Sequence, residues 1–116
     1  MQDILNAITS IFFLSGFVLL VTAILMHFFP PKKINDLYGY RSKRSKQSQE
    51  NWDFAQKFST KQMLKVAIFM LISGGVNAML DLEQQTEAIF GILMLLVGMA
   101  YLFYTTENEL KNRSTD

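Results

Sequence analysis

The strongest constraint on the fold is the separation of charge from three long apolar runs, because every basic residue lies on one side of them. The apolar runs are residues 4–29, 66–80 and 88–104. The segment 30–65 between the first two holds nine of the eleven basic residues, and the segment 81–87 holds three acidic residues and no basic one. This pattern predicts an all-α integral membrane protein with three transmembrane helices.

The lengths of the runs fit that prediction. A spanning helix needs about 20 apolar residues, with a range of about 17 to 25. The second run is the shortest, but Lys61 and Lys65 can extend their aliphatic stems through the interface, so its span can begin earlier. The predicted spans are therefore residues 4–29, 63–80 and 87–105.

A soluble three-helix bundle is the alternative, and the charge distribution excludes it. The first run has no charged residue between Asp3 and Lys32, and the third has none between Glu87 and Glu107. A helix on the surface of a soluble protein needs a polar face, which these runs lack. The chain also has no cysteine, which excludes disulfides, thiolate metal sites and lipidated cysteines.

The basic residues also predict the orientation, since cytoplasmic loops carry an excess of Lys and Arg. Residues 1–116 are expected to form a single membrane domain with the N-terminus outside. Residues 30–62 form a cytoplasmic loop, residues 81–86 an outer loop and residues 106–116 a cytoplasmic tail. Within the large loop, residues 49–61 are predicted to form an amphipathic helix at the inner interface that leads into the second span.

Local signals predict the shape of the large loop. Pro30 and Pro31 should end the first helix, since proline has no N–H and disfavours a helical residue before it. Gly39 can adopt a positive φ, which favours a tight turn. Ser48 is a suitable N-cap for the following helix. Phe54 and Phe58 should share one face of that helix.

Small residues recur seven apart in the spans, as at Gly91 and Gly98. Such stripes let helices approach closely in lipid. They either pack the three helices together or leave one stripe, the Gly91/Gly98 face, for a second copy of the chain. Asn77, in the second span, either forms an interhelical hydrogen bond or lines an outward pocket.

Three motifs in the loop resemble the SdpI-type family of bacterial membrane proteins, and only its three-span unit. They are P-x-x-x-N-x-x-x-G-x-R, Ser-Lys-x-Ser and E-x-W-x-x-A-Q-K. Ser42-Lys43 stands where many members have Thr-Pro. The matching residues are Pro31, Asn35, Gly39, Arg41, Ser45, Glu50, Trp52, Ala55, Gln56 and Lys57.

The resemblance implies a protein of the bacterial plasma membrane. The family's namesake protects producer cells against a secreted peptide toxin, and also signals by holding a transcriptional repressor at the membrane. By this resemblance the chain is an immunity or signalling protein that binds a ligand or partner at its cytoplasmic loop. An oligomeric lipid-headgroup binder or small transport subunit is the alternative. A membrane enzyme built from Asn35, Arg41 and Glu50 is a third, and a non-enzyme is favoured.

Arg41 is the central residue of the expected binding site. Its planar guanidinium binds carboxylate or phosphate with two hydrogen bonds. It either clamps a ligand of that kind or forms an internal ion pair with Glu50 or Asp53. Tyr38 and Trp52 are either interfacial anchors or, for Trp52, a surface that stacks on a ligand. The expected ligand or partner site consists of Asn35, Tyr38, Gly39, Arg41, Glu50 and Trp52.

Three further basic residues are expected to contact anionic lipids of the inner leaflet. Each such residue near a charged leaflet contributes about 1 kcal/mol. They are Lys43, Arg44 and Lys46. The single histidine, His27, is too little for a metal site, so neither metal nor cofactor is expected. The expected partners are membrane lipids, a peptide toxin or cytoplasmic regulator and a second copy of the chain, without nucleic acid.

Overall fold

The computed structural model describes residues 2, 6 and 10–114 of the chain. Within them lie three α-helices and no strand: α1 (Ile11–Phe28), α2 (Gln49–Leu80) and α3 (Gln84–Ser114). Most of the predicted start of the first span, residues 4–9, lies outside the described residues, as do residues 115 and 116 of the tail.

The predicted helix ends agree with the structure. Helix α1 ends at Phe28, just before the two prolines. The Ser48 hydroxyl accepts a hydrogen bond from the Asn51 N–H at 3.0 Å, which confirms it as the N-cap of α2. The rings of Phe54 and Phe58 stack with their centroids 5.5 Å apart, so they do share a face.

All three helices are long and apolar enough to cross a membrane, which confirms the three-span fold class. Helix α2 has 32 residues and is therefore about 48 Å long, while the hydrocarbon core is about 30 Å thick. Residues 49–61 are helical, as predicted, and form the first turns of α2, which continue into the span without a break. Their position at the inner interface stays a prediction. No proline or glycine between Gln49 and Val66 interrupts the helical ladder.

Small residues bring the helices together. A Cβ atom added at Gly98 of α3 would lie 2.7 Å from Val66 of α2, and one added at Gly74 would lie 2.9 Å from Phe12 of α1. A Cβ at Gly91 would lie 3.0 Å from Ile11. The Gly91/Gly98 face is thus used for packing within the chain, as the first interpretation of the stripes predicts. Association with a second copy stays a prediction.

The apolar core is small, and most apolar side chains point outward. Phe12, Val66 and Met70 form the buried cluster. By contrast, Phe17 is 62% exposed and Val97 is 69% exposed. Such continuous apolar surface is rare on a soluble monomer and is what a lipid-facing helix presents.

The bundle is 52 Å long and its two ends differ. We call one the basic end: the loop 29–48 with the first turns of α2 and the last turns of α3. The other is the acidic end: the connection 81–83 with the adjoining ends of α2 and α3 and the start of α1. At the basic end, polar side chains are hydrogen-bonded to a loop, whereas at the acidic end they line a cavity.

Candidate functional site

The loop 29–48 at the basic end is anchored to α2 by Trp52. This side chain is completely buried. Its indole N–H donates a hydrogen bond of 2.7 Å to the carbonyl of Pro31, which lies 21 residues earlier in the chain. Trp52 therefore fixes the start of the loop, and its ring is not available at the surface for stacking on a ligand.

Gln56, one turn further along α2, holds the middle of the loop. Its side-chain oxygen accepts a hydrogen bond from the Tyr40 N–H at 2.8 Å, and its side-chain nitrogen donates one to the Tyr40 carbonyl at 2.8 Å. Gln56 is only 2% exposed. A buried amide that lost these partners would carry a desolvation penalty of about 1–3 kcal/mol, so the pair stabilises one loop conformation.

Gly39 allows that conformation. Its φ is +98°, a region that L side chains rarely adopt, which confirms the predicted turn. A Cβ atom here would lie 2.5 Å from Gln56 Oε1 and 2.6 Å from Pro31 Cγ. The loop therefore requires glycine at this position for two independent reasons, the backbone angle and the close approach.

Helix α3 closes the loop from the other side. The Tyr40 hydroxyl donates a 2.7 Å hydrogen bond to Glu107 Oε1, and Arg44 Nε lies 3.5 Å from Glu107 Oε2. Burial, together with the neighbouring Glu107 carboxylate, raises the pKa of Tyr40 well above its usual value. The hydroxyl is therefore neutral and remains a donor throughout the physiological range.

A second contact ties the end of α3 to the start of α2. Arg113 Nη2 lies 3.6 Å from Glu50 Oε1, and the guanidinium lies 4.2 Å above the centre of the Phe54 ring. Glu50 was predicted to bind a ligand or to pair with Arg41. In the structure its ion-pair partner is Arg113.

The Ser-Lys-x-Ser motif forms a closed turn. The Ser45 hydroxyl accepts from the Ser42 N–H at 2.8 Å and donates to the Ser42 carbonyl at 2.8 Å. Ser45 is completely buried. The Asn51 side chain of α2 donates to the Arg44 carbonyl at 3.1 Å, which fastens this turn to the helix.

Asn35 shapes the outer part of the loop. Its side-chain oxygen accepts from the N–H groups of Leu37 at 2.9 Å and Tyr38 at 2.8 Å. The Tyr38 hydroxyl donates to the carbonyl of Phe29 at 2.7 Å. As a result Leu37 projects from the loop and is 90% exposed.

The predicted lipid-contacting residues divide into two kinds. Lys46 Nζ lies 2.7 Å from Asp36 Oδ1, and this hydrogen bond holds the pKa of Asp36 below its usual value. Arg44 pairs with Glu107. Both therefore have partners within the chain, whereas Lys43 is exposed on the same turn. A contact of the three with anionic lipid stays a prediction.

Arg41 stands out because it is exposed on a loop that is otherwise tightly bonded. Its Nη1 donates to the carbonyl of Gly39 at 3.2 Å. Within residues 10–114, neither Glu50 nor Asp53 pairs with it, and Asp53 accepts a hydrogen bond from Gln49 instead. The internal ion pair considered for Arg41 is therefore absent from the part of the chain that the structure describes.

The sequence-predicted residues thus fall into two groups. Asn35, Gly39 and Trp52 build the loop, while Arg41 lies on its surface. Sequence analysis missed the roles of Tyr40, Gln56 and Glu107. One sequence signal could have shown that a polar face of α2 is buried. Polar residues recur there every three positions, at Gln56, Ser59 and Gln62, and all three are buried in the structure.

Comparisons with known proteins identify the chain as a member of the SdpI/YfhL protein family, whose model matches residues 32–105. The chain is also 34% identical over 97 residues to the uncharacterized protein YfhL of Bacillus subtilis (strain 168). That match covers 83% of this chain and 82% of the relative. No solved structure matches this chain. The protein is therefore a multi-pass membrane protein of this family.

Proposed function

We propose that this protein protects its host cell against a membrane-active peptide toxin, by binding an anionic group of the toxin or of a regulatory partner through Arg41. The protein would act in the bacterial plasma membrane, with its basic end in the cytoplasm. The family supports the immunity role, since its namesake is an immunity factor. The position of the bases supports the orientation.

The observation that carries the proposal is the exposed guanidinium of Arg41 on a fixed loop. The buried bonds of Trp52 and Gln56 hold the loop, and Gly39 allows its turn. Because the loop is already fixed, a ligand that binds Arg41 does not have to order the loop backbone, and the fork of the side chain matches a carboxylate or phosphate. The proposed ligand group is therefore a carboxylate or a phosphate.

The test is protection in a strain that lacks the gene. The strain is complemented with wild type, Arg41→Lys, Arg41→Ala or Lys33→Ala, and challenged with secreted membrane-active peptides. Arg41→Lys keeps the charge but loses the fork, so it should protect less well, and Arg41→Ala should protect least. Lys33→Ala removes an exposed base from the same loop and should protect like wild type. Normal protection by both Arg41 variants, at equal protein levels, would contradict the proposal.

The orientation has its own test. Lys43 and Gln85 are exposed at opposite ends of the bundle. In intact cells, an impermeant thiol reagent should label Gln85→Cys and should reach Lys43→Cys only after the cells are opened. Labelling of Lys43→Cys in intact cells would show that the orientation is opposite to the one proposed.

A second candidate function is binding of an anionic lipid headgroup at the same loop. Leu37 favours it, because an apolar tip that is 90% exposed next to basic residues is a common membrane-surface combination. Lipid binding predicts that Leu37→Ser and Arg41→Ala both reduce the number of anionic lipids retained in native mass spectrometry. Toxin binding predicts loss of protection without that change.

A further inference from the structure

The acidic end contains a cavity of about 220 Å³, at the opposite end of the bundle from Arg41. It lies between the start of α1, the end of α2 and the start of α3. Its polar lining residues are Asn6, Ser10, Asn77, Asp81, Gln84 and Glu87. The chain has no Lys or Arg between Lys65 and Lys111, so the formal charges near this cavity are negative.

Asn77 is the most informative residue of the lining. It is 7% exposed, so its side chain is more than nine-tenths buried, and it faces the cavity. No hydrogen bond of its amide is found within the described residues, so the interhelical bond considered for it is not formed there. A molecule in the cavity could therefore form a hydrogen bond with its side-chain oxygen or nitrogen.

Two carboxylates line the same cavity. Asp81 ends α2 in a left-handed conformation with φ of 54°, and Glu87 lies in the first turn of α3. The two negative charges repel an anion from the cavity and attract a cation.

We propose that this cavity binds a primary ammonium group, such as a lysine side chain, a peptide N-terminus or an ethanolamine headgroup. An ammonium group is a compact donor of three hydrogen bonds. The Asn77 side-chain oxygen and the carboxylates of Asp81 and Glu87 supply three acceptor groups. A metal ion fits less well, because no group of three or more His, Cys, Asp or Glu able to hold one occurs within the described residues.

This site is independent of the proposed function of the basic end. The cavity lies at the other end of a 52 Å molecule and shares no residue with the loop. Arg41→Ala should therefore leave ammonium binding unchanged.

The test uses the full chain in phosphatidylcholine nanodiscs and n-butylammonium chloride as the probe. The side-chain amide of Asn77 is followed by nitrogen-15 NMR at constant ionic strength. A saturable shift of that signal is expected. n-Pentanol, a neutral molecule of similar shape, should cause no saturable shift. Absence of a saturable shift with butylammonium, or an equal response to pentanol, would overturn the proposal.

Variants separate binding from folding. Asp81→Asn combined with Glu87→Gln should weaken butylammonium binding at least tenfold, and asparagine tolerates the left-handed angle at position 81. Glu83→Gln removes a charge from the same connection but from a residue that does not line the cavity, so it should bind like wild type. Asn77→Leu, followed through the Gln84 amide, should also weaken binding. Equal affinity in the double variant and in Glu83→Gln would overturn the proposal.

A change of lipid distinguishes an ethanolamine headgroup from a peptide or small amine as the natural ligand. If ethanolamine headgroups occupy the cavity, nanodiscs of phosphatidylethanolamine should shift the Asn77 signal without added amine and weaken butylammonium by competition. If the natural ligand is a peptide or small amine, the two lipids should give the same butylammonium affinity. Either result supports an ammonium site and identifies its source.

Discussion

The two ends of the bundle use polar residues in opposite ways. At the basic end, the side chains of Trp52, Gln56 and Ser45 are buried and hydrogen-bonded to the loop backbone. At the acidic end, the connection between α2 and α3 is only three residues long, and Asn77 faces a cavity without a partner in the described residues. One end is a scaffold for an exposed arginine, and the other is open around its polar groups.

This difference predicts how substitutions will act. Buried groups at the basic end contribute to the stability of one loop conformation, so changes there should lower stability. Groups that are exposed or unpartnered contribute little to folding, so changes there should alter binding instead. The following predictions test that division, in order of decreasing effect on stability.

Gly39→Ala should have the largest effect, about 3 kcal/mol or more of lost stability. The added Cβ faces both an unfavourable φ and contacts of 2.5 and 2.6 Å. Gly75→Ala is the matched control, because a Cβ there meets nothing within 4 Å. It should be neutral or stabilising by up to about 1 kcal/mol. Unfolding in dodecyl sulfate, followed by circular dichroism, measures both. Equal stability of the two variants would refute the close packing of Gly39.

Trp52→Phe should cost about 2 kcal/mol. The substitution leaves the buried Pro31 carbonyl without its donor and leaves space where the larger ring was. Tyr104→Phe is the control, since Tyr104 is 70% exposed and should change stability by less than about 0.5 kcal/mol. The same unfolding assay applies. A neutral Trp52→Phe would mean that the loop is not anchored at this point.

Tyr40→Phe should cost about 1 kcal/mol at pH 7, for the lost hydrogen bond to Glu107. It should also change the pH dependence. Folding raises the pKa of Tyr40, so the stabilisation is fully present below the unfolded pKa of about 10 and is lost as pH rises above it.

The wild-type protein should therefore lose more stability between pH 9 and 11 than Tyr40→Phe does. Unfolding measured at both pH values gives this difference directly, and the other three tyrosines cancel between the variants. Absorbance at 295 nm should also show one tyrosine that ionises only on unfolding. Identical pH profiles for the two proteins would contradict the burial of Tyr40.

Arg41→Ala should have the smallest effect on folding, under about 0.5 kcal/mol, because the side chain is exposed and makes one hydrogen bond of 3.2 Å. Arg113→Ala is a useful comparison, since Arg113 contacts both Glu50 and Phe54. It should be the more destabilising of the two. If Arg41→Ala instead unfolds the loop, Arg41 belongs to the scaffold and not to a binding surface.

The sequence predicts the membrane fold well, because hydropathy and charge act over whole spans. It also locates the helix stop at Pro30, the turn at Gly39 and the cap at Ser48, each of which depends on local geometry. The cap at Ser48 also predicts the start of the second helix, which hydropathy alone would place later. Hydropathy marks where a helix enters lipid, whereas α2 begins at Gln49 because Trp52 and Gln56 pack against the loop.

The site was predicted less completely, for a similar reason. The expected partners of Arg41, Glu50 and Asp53, were close in sequence, but Glu50 pairs with Arg113 from the far end of α3. Likewise, Tyr40 meets Glu107 across 67 residues. Contacts of this separation follow from the way α3 returns along α2, which no local pattern of residues encodes.

The separation between Tyr40 and Glu107 has a consequence for biosynthesis. The loop leaves the ribosome long before α3 does, because chains are made from the N-terminus. Tyr40 can then find Gln56, but its hydroxyl has no carboxylate to bond until the third span has been inserted and its end has emerged. The full set of loop contacts can therefore form only after the third span has been inserted. A nascent chain halted after Leu80 should present Arg41 on a loop that is still unclosed.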